Sequence, residues 1–283
     1  MDAHYKSLFT RNLGLYTEEE QEKLRSASIG IAGVGGIGGL ASERLIRLGV
    51  GKLKITDPGD MELSNFNRQF GSSAQNLGQN KAKIAFEQIK NINVQASISY
   101  TTNGIHTEID ANNFVDGIDF LIDVMDFGLF KQSILLQRAA RRKGIPYLFS
   151  TAIGFGAIAV VFDPKGITLE EYDGLPVDVD VNNPTKLKVS LERIMPVAPA
   201  YITDLNLVQE IIDGKRTVPS TAIGAGLAAI LTACETTSVI LGKDVPKAPK
   251  YTFVDLVDQQ LVIGKIKGKN KIKKTGKEKN NDN

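Results

Sequence analysis

Residues 28–39 carry the sequence SIGIAGVGGIGG, and this stretch decides the fold of the chain. Its first five residues form a short apolar run, typical of a strand, that stops at a glycine-rich turn. Apolar residues then recur at helical spacing up to Gly49, and residues 52–57, KLKITD, indicate a second strand. A strand, a glycine turn, a helix and a second strand within about thirty residues predict a βαβ unit.

The same alternation continues to residue 162. The pattern predicts helices over 80–92 and 129–143 and strands over 96–102, 120–125, 146–151 and 156–162. The strand FLIDVM is almost entirely apolar, as expected for a strand that is covered on both faces. We therefore predict a Rossmann-like α/β fold, with a mostly parallel central sheet and helices on both of its faces.

Changes in composition divide the chain into five segments. Prolines and glycines interrupt residues 163–220, so we expect an insertion or lid over the ligand face, with one helix over 200–213. The segments are an N-terminal helical arm (1–27), the Rossmann-like domain (28–162), the insertion (163–220), a C-terminal core helix and hairpin (221–266) and a disordered basic tail (267–283). Thr17 and Glu20 predict a capping box in the arm.

Composition and charge are those of an ordinary globular protein. Hydrophobic residues make up 42% of the chain and charged residues 23%. The net charge of +2 is unevenly distributed, because eight lysines fall within residues 265–283. The remainder is mildly acidic, which argues against a nucleic-acid-binding surface over the whole body.

No secretory or membrane segment is predicted. Residues 1–10 lack an apolar signal core. The apolar stretch over 221–242 contains Glu235 and many hydroxyl side chains, which favours a buried helix over a membrane span. A single cysteine, Cys234, excludes an intrachain disulfide and a paired-cysteine zinc site. We expect a cytoplasmic protein that binds no zinc.

The glycine loop predicts a phosphate site. Gly33, Gly35 and Gly38 fit the dinucleotide fingerprint, and Gly36 adds a fourth glycine within it. Glycines allow the backbone to approach a phosphate closely, and the following helix directs free N–H groups at the anion. Asp57, at the end of the next strand, is placed to accept hydrogen bonds from a ribose. The loop alone does not separate ATP from NAD, and a glycine turn also serves tight helix–sheet packing.

Residues downstream of this aspartate separate the two nucleotides. Asn65, Asn67 and Arg68 follow it, and Lys81 opens the next helix. A guanidinium offers paired donors to phosphate oxygens, and a lysine offers a compact charge. Asp126 follows an apolar strand at its carboxyl end, where a carboxylate beside phosphates binds magnesium. A triphosphate needs such groups, whereas a dehydrogenase has no general need for them.

This ordered set of motifs resembles the ThiF/MoeB-like superfamily, which includes the ubiquitin-activating enzymes. The matching elements are the glycines of 33–38, Asp57, SNFNRQ over 64–69, GQNK over 78–81, and Asp123 with Asp126. The resemblance covers residues 8–162 well and the C-terminal helix loosely. It implies adenylation of a substrate carboxylate with ATP and Mg²⁺, which yields an acyl adenylate and pyrophosphate.

The resemblance also implies residue roles and an assembly. The matching positions are the glycine loop and Asp57 for the nucleotide and its ribose, Asn65, Arg68 and Lys81 for the phosphates, Asn67 for the bound nucleotide, and Asp126 for magnesium. Arg11 resembles an N-terminal arginine that reaches into the partner subunit's site, which implies a homodimer with Arg11 acting in trans. Magnesium, arginine and lysine would stabilise the charge that builds on the phosphate, so no protein nucleophile is needed.

Three features depart from the family pattern. A second acid often stands two residues after the ribose aspartate, whereas this chain has Gly59 there and Asp60 one position later. Phe127 follows the magnesium aspartate, where asparagine or serine is frequent. The paired zinc cysteines of many members are absent, as they are in zinc-free members of the superfamily.

Four other titratable residues carry weaker expectations. Asp123 lies within a predicted strand, so a structural and a functional role are both open. Cys234 lies in the small-residue apolar helix, and we predict that it is buried and catalytically inert. His4 and His106 have no supporting pattern and are interpreted as incidental.

The substrate and even the class of function stay open at this point. The carboxylate could belong to a small molecule or modified peptide, to the C-terminus of a sulfur-carrier or ubiquitin-like protein, or to a modified tRNA, as in threonylcarbamoyl-adenosine dehydratases. An NAD-dependent oxidoreductase would explain the glycine loop and Asp57 but would leave Arg68 and Lys81 without a role. A catalytically silent nucleotide-binding module is the third alternative, motivated by Gly59 and Phe127.

Overall fold

The glycine-rich stretch lies in the middle of an eight-stranded sheet in the computed structural model, which describes residues 1–212 and 215–266. In spatial order the strands run β3-β2-β1-β4-β5-β6-β7-β8. Their bounds are β1 Ser28–Ala32, β2 Lys52–Thr56, β3 Ser97–Thr101, β4 Phe120–Asp123, β5 Tyr147–Ile153, β6 Gly156–Phe162, β7 Lys250–Asp255 and β8 Gln260–Lys265. The order reverses between β1 and β4, where ligands bind in open α/β sheets.

Strands β3, β2, β1, β4 and β5 are parallel, and β6, β7 and β8 continue the sheet antiparallel. In the register of β1, Ala32 stands beside Thr56 of β2 and beside Asp123 of β4. The three central strands therefore end at the same level. The residues that follow them, in the loops after 32, 56 and 123, meet at one edge of the sheet.

Helices cover both faces of this sheet. One face carries helices α3, α4 and α10, and the other carries α5, α6 and α7, each over its own apolar cluster. The helices of the described residues are α1 Ala3–Leu8, α2 Glu18–Ser26, α3 Gly38–Leu48, α4 Lys81–Ile89, α5 Glu108–Phe114, α6 Phe130–Arg142, α7 Leu169–Asp173, α8 Leu191–Ile194, α9 Leu205–Ile212 and α10 Ala222–Ile240. The predicted Rossmann-like α/β fold is confirmed.

The N-terminal arm packs against the far end of α3. The predicted capping box is present, because Thr17 accepts from the Glu20 N–H and Glu20 accepts from the Thr17 N–H. The buried Tyr5 donates to the carbonyl of Gly49, at the C-terminal end of α3, with 2.5 Å between the oxygens. The arm is thereby fixed at the edge of the sheet opposite the glycine loop.

Among the described residues, one helix, α10, is long and apolar enough to cross a membrane. Half of its most apolar stretch is nevertheless buried inside the protein. It packs on α3, β5 and β6. Its buried Glu235 accepts a hydrogen bond of 2.6 Å from Thr252 on β7. These contacts are those of a core helix, as the sequence predicted.

In its described residues, the insertion over 163–220 contains the short helices α7, α8 and α9, a 3₁₀ turn over Pro184–Lys186 and otherwise irregular chain. The helix predicted over 200–213 begins later, at Leu205, and its predicted end at Asp213 and Gly214 lies outside the described residues. The predicted hairpin over 251–266 is present as β7 and β8. The basic tail over 267–283 also lies outside the described residues.

Candidate active site

A cavity of about 630 Å³ opens where β1, β2 and β4 end. Its lining includes the glycine loop and Asp57, Arg68, Lys81 and Asp126, together with residues of the insertion. Its volume is that of a small-molecule site. The sheet register therefore gathers residues that are far apart in the sequence into one site.

The geometry of the glycine loop requires glycine at two positions. Gly33 has a φ of +87°, and a Cβ atom there would lie 2.7 Å from the carbonyl oxygen of Val124. A Cβ atom on Gly38 would lie 1.8 Å from the carbonyl oxygen of Gly33. Helix α3 starts at Gly38, and no side chain caps its N-terminus. The N–H of Gly39 in the first turn donates to the carbonyl of Gly35 at 3.2 Å, and the remaining N–H groups of a helix start are the kind of donor that binds an anion.

Asp57 links the glycine loop to the end of β2. Its two carboxylate oxygens accept from the N–H of Val34 at 2.9 Å and from the N–H of Gly59 at 2.8 Å. Burial raises the pKa of Asp57, against the lowering effect of these hydrogen bonds and of the Lys81 charge. Each oxygen keeps a further lone pair for a ligand. The role of Asp57 in binding a ribose stays a prediction. In addition, its carboxylate connects the glycine loop to the loop after β2.

Arg68 and Lys81 approach the loop from two sides. The guanidinium of Arg68 donates to the side-chain oxygen of Asn67 at 2.9 Å, and its Cγ would touch a Cβ on Gly36 at 3.2 Å. Lys81 is the first residue of α4, and its Nζ lies 3.4 Å from the position of a Cβ on Gly59. The aliphatic part of Arg68 thus lies beside a glycine of the loop after β1, and the ammonium of Lys81 lies beside a glycine of the loop after β2.

Asp126 lies in the loop after β4 and is exposed to the cavity. Its charge contributes to the raised pKa of Asp57, which places the two carboxylates in the same electrostatic environment. The described residues contain no group of three or more His, Cys, Asp or Glu side chains that could hold a metal. A magnesium ion that is held mainly by phosphate oxygens needs only one or two protein carboxylates, so Asp126 alone fits that kind of site.

Asp123, three residues earlier, is structural. It is buried at the end of β4, where it accepts from the hydroxyl of Tyr147 at 2.6 Å and from the N–H of Met125 at 3.1 Å. Burial raises its pKa. Its carboxylate shapes the loop that presents Asp126 and does not line the cavity.

The two predicted asparagines, Asn65 and Asn67, form hydrogen bonds in the loop after β2 and lie outside the cavity lining. Asn65 is buried and accepts from the N–H of Glu62 at 3.0 Å. Asn67 donates to the carbonyl of Ser220 at 2.9 Å and so ties the loop after β2 to the start of α10. Neither residue lines the cavity, although the side-chain oxygen of Asn67 accepts from the guanidinium of Arg68 at its edge. The phosphate contact predicted for Asn65 and the nucleotide contact predicted for Asn67 stay predictions.

Arg11 is distant from the cavity of its own chain. Its neighbour Asn12 donates to the carbonyl of Leu48, at the end of α3 opposite the glycine loop. Within one chain Arg11 therefore does not reach the site. An action in trans, from a second subunit, stays a prediction.

The departures at Gly59 and Phe127 have clear positions. Gly59 lines the cavity, whereas the exposed Asp60 pairs with Asn80 and does not line it, so the loop does not move an acid into that place. Phe127 lines the cavity beside Asp126, is 47% exposed and contacts Phe130 edge to face.

Cys234 corrects one prediction. It is exposed, not buried, because it faces away from the sheet on the outer surface of α10. It lines a separate cavity of about 360 Å³ beside Tyr16 and Arg47, which shares no residue with the first. Helical spacing identified the apolar helix but not which of its sides meets the sheet.

Sequence reasoning missed three groups in the cavity wall. Gln69 lies under Gly35, and its Oε1 is buried without a hydrogen-bond partner among the described residues. His106, interpreted as incidental, lines the cavity after β3, with a ring nitrogen 2.6 Å from the carbonyl of Asn103. Tyr201 lines it from the insertion. Gln69 belongs to the quoted SNFNRQ motif, whereas no sequence signal marks the other two.

Comparison with known proteins identifies relatives over nearly the whole chain. The model of the ThiF family matches residues 9–275. The tRNA threonylcarbamoyladenosine dehydratase of Bacillus subtilis is 32% identical over 143 residues, which are 50% of this chain and 55% of that protein. The sulfur carrier protein ThiS adenylyltransferase of the same organism is 30% identical over 139 residues, 47% of this chain and 40% of that protein. The chain thus spans about half the length of these relatives.

Solved structures share the fold over a longer range. The structure of Escherichia coli MccB with ATP superimposes with a TM-score of 0.70 at 19% identity and covers 94% of this chain and 73% of that one. The structure of PaaA gives a TM-score of 0.68 at 18% identity, over 94% of this chain and 75% of the other. At such identities the likeness concerns the fold alone.

Proposed function

This chain belongs to the ThiF family, and on that premise we propose that it activates a substrate carboxylate by adenylation with ATP. One observation carries the proposal: a single cavity at the switch point of the sheet gathers the glycine loop, Asp57, Arg68, Lys81 and Asp126. The adenylyltransferase among the relatives supports adenylyl transfer, and the ATP complex of MccB supports the nucleotide.

The reaction needs positioning and charge. A carboxylate oxygen attacks the α-phosphorus of ATP, a new P–O bond forms, the bond to the bridging oxygen breaks, and pyrophosphate leaves with the electron pair. Asp57 and the glycine loop hold the nucleoside, and Arg68 and Lys81 stabilise the negative charge of the phosphates. A second nucleophile then attacks the acyl adenylate.

Asp126 would hold magnesium, which, when bound, neutralises phosphate charge and orients the triphosphate. The uncapped N-terminus of α3 and the glycine backbone at 33–38 supply neutral donors to the same anion. Adenylation at this site therefore needs no protein nucleophile. A cytoplasmic location is part of the proposal, since that compartment supplies ATP.

A homodimer with Arg11 acting in trans completes the proposal. In its own chain Arg11 lies at the far end of α3, so a contribution to catalysis requires a second subunit. Mixing an Arg11→Ala subunit with a Lys81→Ala subunit tests this, because only a mixed dimer restores one intact composite site. Recovery of part of the activity is expected, and no recovery in a proven mixed dimer contradicts the role in trans.

Calorimetry with Mg·ATP and with NAD tests the nucleotide. We expect binding of ATP that depends on magnesium, loss of that dependence in Asp126→Ala, and no change in Asp60→Ala, an exposed acid outside the cavity. Binding of NAD without ATP would overturn the proposal in favour of an oxidoreductase.

Pyrophosphate exchange tests the chemistry. Lys81→Ala and Arg68→Ala are each expected to lower exchange at least about a hundredfold, the scale of one lost charge-stabilising group. Lys83→Ala is the matched control, because Lys83 is an exposed lysine in the same first turn of α4 and does not line the cavity. ATP binding with no exchange for any carboxylate, including a carrier-protein C-terminus and modified tRNA, would identify a silent binding module.

A further inference from the structure

The charges in the cavity are segregated. Among the described residues, the aspartate, lysine and arginine side chains of its lining are Asp57, Arg68, Lys81 and Asp126, all in the loops after β2 and β4 or at the start of α4, and His106 adds an imidazole after β3. The proposed function assigns both cations to the phosphates of ATP. Neither is therefore left for the part of the cavity that holds the second substrate.

The rest of the lining comes from the insertion, from the loop after β5, and from Phe127 and Leu129, which follow Asp126 in the loop after β4. The insertion is rich in charged residues, yet none of those that the structure describes lines the cavity. Its contribution is apolar or uncharged and includes Ile194, Met195, Tyr201, Ile202, Leu207 and Val218. The insertion as a whole carries many charges, yet the described side chains that it directs toward the cavity are uncharged. This part of the cavity therefore suits an apolar group.

Three apolar side chains of the cavity lining, two from the loop after β4 and one from the insertion, are open to solvent. Phe127 is 47% exposed, Val218 is 42% exposed and Leu129 is 38% exposed, and all three line the cavity. Large apolar groups that remain accessible inside a concave site are the usual mark of a ligand surface.

The polar atom of Tyr201 is already engaged. Its hydroxyl donates to Asp255 at 2.6 Å and accepts from the N–H of Phe155 at 2.7 Å. Its ring contacts the ring of Phe155 at 5.3 Å between centroids. A ligand at this end therefore meets two aromatic rings and no free hydroxyl from this residue.

We propose that the carboxylate activated by this protein is carried on an apolar group, either a free acid with a hydrocarbon chain or a peptide whose last side chain is apolar. The inference rests on the proposed adenylation and specifies its substrate class. The carboxylate lies toward the charged end, and its apolar group occupies the end lined by Phe127, Met195, Tyr201 and Val218.

Charged substrates fit this wall poorly. A second carboxylate would be moved from water toward a wall whose described side chains include no lysine or arginine to pair with it, at a cost in free energy. A tRNA would bring phosphates that require lysine or arginine for neutralisation. Within the described lining the only such residues are the two assigned to ATP.

Calorimetry in the presence of α,β-methylene-ATP, which cannot be cleaved at the α-phosphate, measures this preference without turnover. Hexanoate and adipate form a matched pair, since they differ by a second terminal carboxylate, and N-acetyl-leucine and N-acetyl-aspartate form the peptide pair. We expect the apolar member of at least one pair to bind at least tenfold more tightly. Lengthening butanoate to hexanoate is expected to tighten binding about fourfold per buried methylene. The better pair identifies the source, free acid or peptide.

Two valine variants test the wall. Val218→Glu places a charge in the apolar end, and we expect hexanoate or N-acetyl-leucine to bind at least tenfold more weakly, with the affinity for the ATP analogue unchanged. Val177→Glu is the control, because Val177 belongs to the same insertion, is 53% exposed and does not line the cavity. Both changes are at exposed positions, so the fold is retained in each. Equal binding by Val218→Glu and wild type would overturn the inference.

Pyrophosphate exchange with the same acids separates the two proposals. If the apolar acids bind preferentially but support no exchange, the apolar site stands and adenylation fails. If adipate, N-acetyl-aspartate or a threonylcarbamoyl-adenosine-containing tRNA supports faster exchange than the apolar acids, adenylation stands and the apolar substrate class is wrong.

Discussion

The two walls of the cavity are held in place by different means. At the nucleotide end, backbone meets backbone, so that a Cβ on Gly38 would lie 1.8 Å from the carbonyl oxygen of Gly33. The insertion is held mainly by side chains, among them Tyr201 on Asp255 and Asp258 on the N–H of Ala200 at 2.7 Å. The wall formed by the glycine loop is thus held by backbone packing within the sheet, whereas the wall formed by the insertion is held to the sheet by side-chain hydrogen bonds.

This difference has a functional consequence. Phosphates and ribose are the same in every ATP, and their recognition by N–H groups requires a backbone fixed to a fraction of an ångström. A substrate wall made of side chains on short helices can change without disturbing the sheet. We therefore expect substitutions to separate into those that disturb the fold and those that disturb only the substrate wall.

The largest expected effect is at Gly38. Gly38→Ala forces a methyl group against backbone, and we expect a loss of about 3 kcal/mol or more of unfolding free energy together with loss of ATP binding. The control is Gly226→Ala in α10, where the added Cβ has no neighbour within 4 Å and the helix gains roughly 0.5–1 kcal/mol. Urea unfolding of both variants checks this, and a stable Gly38→Ala that binds ATP would remove the contrast between the walls.

A smaller, pH-dependent effect is expected at the base of the insertion. Burial raises the pKa of Asp173 to about 7, and Glu170 and Asp123 raise it further while Arg193 lowers it. Between about pH 4 and 7 the folded chain holds this proton and the unfolded chain does not, so stability falls as pH rises. Relative to Asp173→Asn, wild type should lose about 2 kcal/mol between pH 5 and pH 8. Parallel pH profiles for the two proteins would contradict the assignment.

Removing a hydrogen bond that holds the insertion to the sheet should lower the unfolding free energy by a smaller amount. Tyr201→Phe removes the hydroxyl that joins Asp255 to the N–H of Phe155, and we expect a loss of about 1 kcal/mol of stability. The KM for the carboxylate should rise severalfold, because the wall loses its attachment, while the KM for ATP should stay unchanged. Tyr100→Phe, at a 40% exposed position on β3, is the control. A rise in the KM for ATP instead would mean that the two walls are not independent.

The smallest effect is expected at Cys234. This cysteine is exposed on α10 and lines a cavity that shares no residue with the nucleotide cavity. Cys234→Ala should change stability by less than about 0.5 kcal/mol and leave pyrophosphate exchange unchanged. Loss of transfer to an acceptor with intact exchange would instead indicate a thioester step at this position.

Most of the fold was predictable because it depends on local patterns. The glycine loop, the alternation of apolar strands and helices, and the capping box at Thr17 each arise from neighbouring residues, and each is present in the structure. The start of α9 was predicted less well, since prolines and short apolar runs in the insertion allow several starting points. The prediction that Cys234 is buried was wrong, because the sequence of a helix that is apolar on all sides does not reveal which side meets the sheet.

The βαβ unit, the glycine loop and the polar residues after each strand are readable from the residues alone, because glycine conformations and apolar periodicity act over a few residues. Only the tertiary structure decided which of those polar residues meet. It placed Arg68, Lys81 and Asp126 in one cavity, left Asn65 to a local contact and tied Asn67 to Ser220 in the insertion. It also turned uncharged side chains of the insertion toward that cavity. Such choices depend on how strands align across the sheet and on which face of a short helix is buried, and no spacing within one segment encodes either.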